Sequence, residues 1–169
     1  IQDDIIDRSP VRRGGKALHV AAGEKYGHET RNDLIGNDIA LVLADVLFAN
    51  CVEIIANVKL PSPVKDQFLS IFARTYEMTA WGQILDSLHS MVRELRRGSN
   101  APVEISTMKT AYYTLYYPVV MGHILSGRRD KKEWKRIEDF SLPGGLAFQM
   151  RDDVLGVFGK SETTGKPSD

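Results

Sequence analysis

Apolar positions recur with helical spacing along most of this chain. The longest apolar stripe has steps of three to five residues and comprises Leu34, Ile39, Val42, Val46 and Ala49. This spacing favours a helix with one apolar face. No segment shows convincing alternation of apolar and polar residues at every second position, the pattern of a half-buried strand. The pattern therefore predicts an all-α protein, with residues 1–169 forming a single helical domain.

Prolines, glycines and capping residues predict the helix boundaries in the first half of the chain. A helix over residues 1–8 ends at Ser9-Pro10, because the residue before proline disfavours helical geometry. After a basic loop, a short helix is predicted over Leu18–Tyr26. The next helix begins at Asn32 or Asn37 and continues to about Val58. Beyond it, Ser62 is predicted to cap a helix that starts at Pro63 and ends at Gly98.

Three further helices are predicted in the second half. The first runs from Glu104 to about Ser126 and is kinked at Pro118, which lacks a backbone N–H donor. The second covers residues 130–140, and Pro143-Gly144-Gly145 interrupts the chain after it. The third covers Leu146–Phe158, and residues 160–169 form a polar loop.

Composition narrows the class of protein. Lys+Arg and Asp+Glu both number 22 among 169 residues, so the net charge is zero, which disfavours nucleic-acid binding. The most apolar stretch, Ile39–Phe48, contains Asp45 and is shorter than the ~20 residues of a membrane span, so no transmembrane segment is predicted. The single cysteine, Cys51, weakly favours the cytoplasm. The chain starts without methionine and stops after a loop, which predicts a segment of a longer protein.

Two acidic motifs lie near opposite ends of the chain. In Asp3-Asp4-Ile5-Ile6-Asp7, a helix places Asp3 and Asp7 one turn apart on one face, where the like charges repel unless a cation binds them. Carboxylate oxygens suit Mg²⁺. Asp152 and Asp153 form the second motif within an apolar helix, and they point about 100° apart. The alternatives are a solvated helix end for the first pair and surface acids for the second.

Basic residues lie between these motifs. Arg12 and Arg13 follow the first motif closely, and guanidinium groups suit diphosphate recognition, unless they simply neutralise the neighbouring acids. Lys109 lies in the first turns of a helix, where an anion would offset its unfavourable position in the helix dipole. Tyr112, Tyr113, Tyr116 and Tyr117 cluster on the same helix, and packing between helices is favoured over a ligand-cavity wall.

The motifs occur in an order that resembles the trans-isoprenyl diphosphate synthases. The segments that carry the resemblance are Asp3-Asp4-x-x-Asp7, Arg12-Arg13-Gly14, Gly82-Gln83-x-x-Asp86, Lys109-Thr110, Phe148-Gln149-x-x-Asp152-Asp153, Phe158-Gly159 and Thr164-Gly165-Lys166. The resemblance implies an isoprenoid-synthase-type helical bundle around a central cavity. It further implies a magnesium-dependent prenyltransferase that condenses an allylic diphosphate with isopentenyl diphosphate.

The resemblance also implies roles for single residues. Asp3, Asp7 and Asp152 would bind Mg²⁺ with support from Asp4, and Lys109 would act with these aspartates in catalysis. The residues that would contact the substrates are Arg12, Arg13, Lys109, Thr110, Gln149 and Lys166. Gln83 would face the cavity, and Asp86 would have a structural or supporting role.

Departures from the family pattern leave alternatives open. Gly156 stands where the second motif usually has its last aspartate, and Lys16 stands where a proline is common. One alternative is an enzyme resembling a terpene cyclase, and another is a non-catalytic subunit of a prenyl synthase heteromer. The family also commonly forms homodimers, and the apolar helix 34–58 is a candidate contact surface.

Overall fold

The computed structural model describes residues 1–30, 34–91, 99–128 and 130–159. Most of these residues are helical, which confirms the prediction of an all-α fold. The α-helices are α1 (Gln2–Ile6), α2 (Leu18–Thr30), α3 (Ile35–Asn57), α4 (Ser62–Ser90), α5 (Ala101–Ser106), α6 (Tyr117–Leu125) and α7 (Lys131–Phe158). A π-helix, Thr107–Tyr116, joins α5 to α6. Strands β1 (Val11–Arg12) and β2 (Gly15–Lys16) pair antiparallel.

The backbone divides into two compact units. The first comprises Ile1–Asn57 together with the described residues from Leu155 onward, and the second comprises Val58–Val154. In the first unit, α2 packs on α3 through glycines. A Cβ atom on Gly36 would lie 2.9 Å from the Cα of Gly23 and closer still to the carbonyl oxygen of His19. The two helices are therefore in backbone contact where α3 begins.

Helix α3 leaves much of its apolar surface exposed on this chain. Val42 is 62% exposed and Ile54 is 69% exposed. By length and composition, α3 is the one helix among the described residues that could cross a membrane. This is weak evidence, because core helices of soluble proteins meet the same criteria. The absence of a transmembrane segment therefore stays a prediction, although a longer apolar stretch exists than the sequence pattern indicated.

The second unit has its core between α4, α6 and α7. Val64, Val120 and Ile124 are buried there, with partly buried apolar side chains packed around them, including Trp134 and Ile137. Burial of each such side chain contributes roughly 1.5–3 kcal/mol. This core holds α4, α7 and α6 together, and α6 directly follows the π-helix.

Several predicted boundaries in the first part of the chain were wrong. Helix α2 continues through Gly27 to Thr30, and Asn37 lies inside the first turn of α3. Pro61, not Ser62, is the N-cap of α4, and Ser62 already has helical geometry. The predicted basic loop after Pro10 forms a short hairpin of β1 and β2, for which no strand pattern was visible. Asn32 and the predicted end of α4 at Gly98 lie outside the described residues.

Helix α7 is continuous where an interruption was predicted. Pro143 lies inside it, and the helix extends from Lys131 to Phe158. The reason is tertiary packing, which overrides the weak local preference of Pro-Gly-Gly. Gly145 is buried against Ala111 of the π-helix, and a Cβ on Gly145 would lie 2.6 Å from the Cα of Ala111.

The predicted kinked helix over Glu104–Ser126 is three segments. Helix α5 begins at Ala101, the π-helix follows it, and α6 begins at Tyr117 with Pro118 in its first turn. Proline thus coincides with the return from π- to α-helical geometry, where a missing N–H is tolerated best. The wide turns of a π-helix are rare and frequently mark functional sites.

Candidate active site

The acidic motif near the start of the chain lies on α1. Asp7 is the C-cap residue, and its backbone N–H donates to the carbonyl of Asp3 at 2.9 Å, so the two residues are one helical turn apart as predicted. Asp3 is half-buried and Asp7 is exposed. Asp4 differs from both, because it is 4% exposed and its Oδ1 lies 3.2 Å from Nη1 of Arg12. Its suggested support of the metal stays a prediction.

Helix α1 ends in a Schellman motif. The N–H of Ser9 donates to the carbonyl of Asp4 at 2.9 Å, and the N–H of Arg8 donates to the carbonyl of Ile5 at 3.2 Å. Arg8 has a φ of 53°, in the left-handed region where glycine is usual. This turn brings the chain from the acidic motif into β1, and so places Arg12 beside Asp4.

A two-residue turn presents the second arginine. Val11 pairs with Lys16 and Arg12 pairs with Gly15, so Arg13 and Gly14 form the turn. Their φ values are 52° and 76°, which correspond to a type I′ turn. Arg13 is exposed at the tip of the hairpin, whereas Arg12 is partly engaged by Asp4. The two arginines therefore have different surroundings despite being adjacent.

Two glycines clamp the π-helix between α4 and α7. A Cβ on Gly82 of α4 would lie 2.7 Å from the Cα of Lys109, and the corresponding distance from Gly145 of α7 to Ala111 is 2.6 Å. Real Cβ atoms do not approach this closely, so both positions require glycine. The backbone of the Lys109–Ala111 segment is consequently in contact with a helix on either side.

The residue one turn after each glycine bonds to the segment between them. Asp86, four residues after Gly82, accepts a hydrogen bond from Nζ of Lys109 at 2.7 Å. Gln149, four residues after Gly145, accepts one from the Thr110 hydroxyl, with 2.7 Å between Oγ1 and Oε1. Residues at i and i+4 share a helix face. The structure therefore brings together Lys109, Thr110 and Gln149, and it places Asp86, for which a supporting role was predicted, on Lys109.

The second acidic motif is hydrogen-bonded to Gln149. Nε2 of Gln149 donates to Oδ1 of Asp153 at 2.7 Å. Asp152 and Asp153 are both exposed on α7, and the assignment of Asp152 to the metal stays a prediction. Lys166 lies outside the described residues. The sequence identified Asp153 as part of the second acidic motif but not as a partner of Gln149, although their spacing of four residues is visible there.

The tyrosine cluster packs within the second unit. Tyr112 stacks on Tyr117 with 5.2 Å between ring centroids, and Tyr116 contacts both rings. The five-residue step from Tyr112 to Tyr117 follows from the π-helix. Burial raises the pKa of Tyr116 and of Tyr117 above the usual tyrosine value. Tyr116 also packs against the buried core of the second unit, while Tyr113 is half exposed, and the preference for packing over a cavity wall stays a prediction.

The aspartates have the donor chemistry that magnesium requires. Asp3, Asp7 and Asp152 offer carboxylate oxygens, the ligands that Mg²⁺ prefers, and the side chains of Asp7 and Asp152 are exposed. Within the described ranges, no group of three His, Cys, Asp or Glu side chains is close enough to hold a metal by itself. The chemistry of these side chains therefore fits Mg²⁺ with water as further ligands, and their assignment as metal ligands stays a prediction.

Comparison with known proteins decides the family. The model of the polyprenyl synthetase family matches residues 1–169. The chain belongs to the polyprenyl synthetase family. It is 29% identical to farnesyl pyrophosphate synthase of Candida albicans, covering 98% of this chain and 45% of that protein. It is 28% identical to farnesyl diphosphate synthase of Dictyostelium discoideum, covering 98% of this chain and 43% of that protein.

Two solved structures share the fold of this chain. Geranylgeranyl pyrophosphate synthase from Corynebacterium glutamicum, complexed with isoprenyl diphosphate and magnesium, has a TM-score of 0.75 at 26% identity, over 99% of this chain and 47% of that one. The geranyltransferase from Helicobacter pylori has a TM-score of 0.77 at 24% identity, over 99% and 51%. The chain spans about half the length of these two proteins and of the curated relatives.

Proposed function

We propose that the full-length protein is a trans-prenyltransferase that condenses an allylic diphosphate with isopentenyl diphosphate. The observation that carries this proposal is the match of the polyprenyl synthetase model to the whole chain. The relatives named farnesyl diphosphate synthase support it. The clamped π-helix adds a structural reason, because it holds a cationic and a hydroxyl group, Lys109 and Thr110, in fixed and adjacent positions.

In this proposal, Asp3, Asp7 and Asp152 hold Mg²⁺, with Asp4 in support. When bound, the metal neutralises negative charge on the departing diphosphate. A neighbouring structure of the family that contains isoprenyl diphosphate and magnesium is consistent with this cofactor. Asp4 contributes by holding Arg12 next to the acidic helix, since their side chains are 3.2 Å apart.

The cationic side chains bind the two diphosphates. Arg12, Lys109 and Lys166 contact the allylic diphosphate, and Arg13 contacts isopentenyl diphosphate. Fixed cations of this kind stabilise charge that develops as the carbon–oxygen bond breaks. Thr110 and Gln149 line the reacting centre. Binding both substrates side by side replaces a bimolecular encounter.

The test is turnover by the full-length protein with magnesium, an allylic diphosphate and radiolabelled isopentenyl diphosphate. We expect Asp3→Asn and Asp152→Asn to lower kcat by at least about 100-fold, because each removes a carboxylate from the metal-binding set. Asp139→Asn is the matched control. It makes the same chemical change on α7, where Asp139 pairs with Lys135 at 2.8 Å.

Two outcomes contradict the proposal. Wild-type turnover in both aspartate variants would exclude the metal assignment. Conversion of an allylic diphosphate to a cyclic hydrocarbon without isopentenyl diphosphate would favour a terpene cyclase instead.

A further inference from the structure

Thr110, Gln149 and Asp153 form a continuous chain of hydrogen bonds. The Thr110 hydroxyl donates to the Gln149 amide oxygen, and the Gln149 amide nitrogen donates to the Asp153 carboxylate, both at 2.7 Å. Thr110 is 5% exposed, so its hydroxyl depends on a protein partner. Asp153 lies at the exposed end of the chain. We propose that Asp153 is a positioning residue that sets the orientation of the Gln149 amide and, through it, of the Thr110 hydroxyl.

The chemistry of the three groups permits one direction of donation. An ionised carboxylate accepts hydrogen bonds and cannot donate, whereas a glutamine amide has one end of each kind. Rotation of the Gln149 amide by 180° would place its oxygen 2.7 Å from Oδ1 of Asp153, oxygen against oxygen. Asp153 therefore holds Nε2 towards itself and Oε1 towards Thr110.

This direction determines which part of the Thr110 hydroxyl group, its proton or its lone pairs, can contact other groups. Its proton is committed to Gln149, so the lone pairs of its oxygen, and not its proton, remain for other contacts. In the reaction proposed above, on which this inference rests, positive charge develops on the allylic carbon. A lone pair stabilises that charge and a proton opposes it. Asp153 thus influences the chemical step without contacting the substrate.

The variant that tests this orientation is Asp153→Asn in the full-length protein. Asparagine is almost isosteric, but it can donate as well as accept, so the Gln149 amide is free to turn. We expect kcat to fall about tenfold, a typical effect of one misdirected hydrogen bond, while KM for both substrates changes little. Asp139→Asn, on the same helix but away from this chain of hydrogen bonds, keeps the wild-type kcat.

A double variant separates positioning from other roles. In Thr110→Val there is no hydroxyl to orient, so adding Asp153→Asn should lower kcat no further. If kcat of the double variant falls by the product of the two single losses, the inference is overturned. A wild-type kcat in Asp153→Asn would also overturn it. A magnesium requirement that rises in Asp153→Asn as much as in Asp152→Asn would also overturn it, because Asp153 would then be a metal ligand.

Thermal unfolding provides a readout that is independent of catalysis. Thr110 and Asp153 interact only through Gln149 in this chain of bonds, so their substitutions should shift the unfolding midpoint non-additively. That coupling should vanish when Gln149 is replaced by leucine. If the two shifts are additive when Gln149 is present, the proposed coupling through the chain of hydrogen bonds is refuted. If the shifts are non-additive but the full-length protein has no prenyltransferase activity, the coupling through Gln149 stands and the proposed function is refuted.

Discussion

Arg13 occupies a backbone conformation that is costly for most L-amino acids. Its φ of 52° is imposed by the type I′ turn between β1 and β2. Arg8 has a similar φ of 53°, which the Schellman motif at the end of α1 requires. Glycine or asparagine is usual at such positions. An exposed arginine at the hairpin tip is therefore better explained by a role of its guanidinium group than by the backbone.

The hairpin allows that role to be tested without disturbing the fold. Asparagine is preferred at the first position of a type I′ turn, so Arg13→Asn should preserve or slightly raise stability. We expect KM for isopentenyl diphosphate to rise about tenfold or more, because a charge-assisted contact to phosphate is lost. The measurement is steady-state kinetics of the full-length protein, with Lys16→Asn on β2 as control. An unchanged KM would show that Arg13 does not contact that substrate.

Asp86 is expected to act on the substrate through Lys109. The pair is partly exposed, with Nζ 2.7 Å from Oδ2, so solvent screening limits its strength. Asp86→Asn should raise KM for the allylic diphosphate roughly two- to fivefold by leaving Lys109 less ordered. The control is Asp66→Asn, an exposed acid on α4. If KM for the allylic diphosphate is the same in the two variants, Asp86 has no part in substrate binding.

At the scale of secondary-structure elements, close backbone contacts at glycines determine how helices meet. Gly36 lets α3 approach α2, and Gly82 and Gly145 let α4 and α7 approach the π-helix from two sides. The second pair has a direct consequence for the site, since Asp86 and Gln149 lie one turn further along the same faces. A helix separation larger by one methyl group would displace both hydrogen bonds.

Two glycines of α7 should respond oppositely to the same substitution. In Gly145→Ala the new Cβ would lie 2.6 Å from the Cα of Ala111, and we expect a loss of about 1–3 kcal/mol or more in the free energy of unfolding. Among the residues that the structure describes, no neighbouring atom lies within 4 Å of a Cβ on Gly156, so Gly156→Ala should gain about 0.5–1 kcal/mol from helix propensity. Urea unfolding of both variants measures this. Stabilisation by Gly145→Ala would contradict the packing described for the π-helix.

At the scale of the whole molecule, we expect another protein surface to pack against the exposed apolar side chains of α3. The residues concerned include Val42 and Val46, which are 62% and 47% exposed. Apolar surface of this extent on a helix is typical of an interface. We predict that a second copy of the protein packs on this surface, in the homodimer expected from the family resemblance.

Light scattering coupled to size-exclusion chromatography tests this interface on the full-length protein. We expect a dimer for the wild type and a shift towards monomer for the double variant Val42→Glu and Val46→Glu, because buried carboxylates would oppose association. Val103→Glu, at a half-exposed position of α5, should leave the mass unchanged. A monomeric wild type, or a double variant that stays dimeric, would exclude α3 as the dimer contact.

The sequence was most informative where the local signal is strong. The extent of α3 and the break at Pro61-Ser62-Pro63 were predicted to within a few residues, because apolar periodicity and proline act locally. Prediction failed at Pro143-Gly144-Gly145 and over Thr107–Tyr116. The continuity of α7 and the π-helix depend on contacts between residues far apart in sequence, which local propensity does not encode.

The same division applies to the site. The sequence by itself determined the family, the helical class and the identity of the charged and polar residues, since these depend on residue type and order. Only the tertiary structure decided which of them meet: that Asp4 is buried beside Arg12, that Lys109 bonds to Asp86, and that Thr110 bonds to Gln149. The last two pairs depend on Gly82 and Gly145, because the absence of a Cβ atom is what allows three helical segments to touch at their backbones.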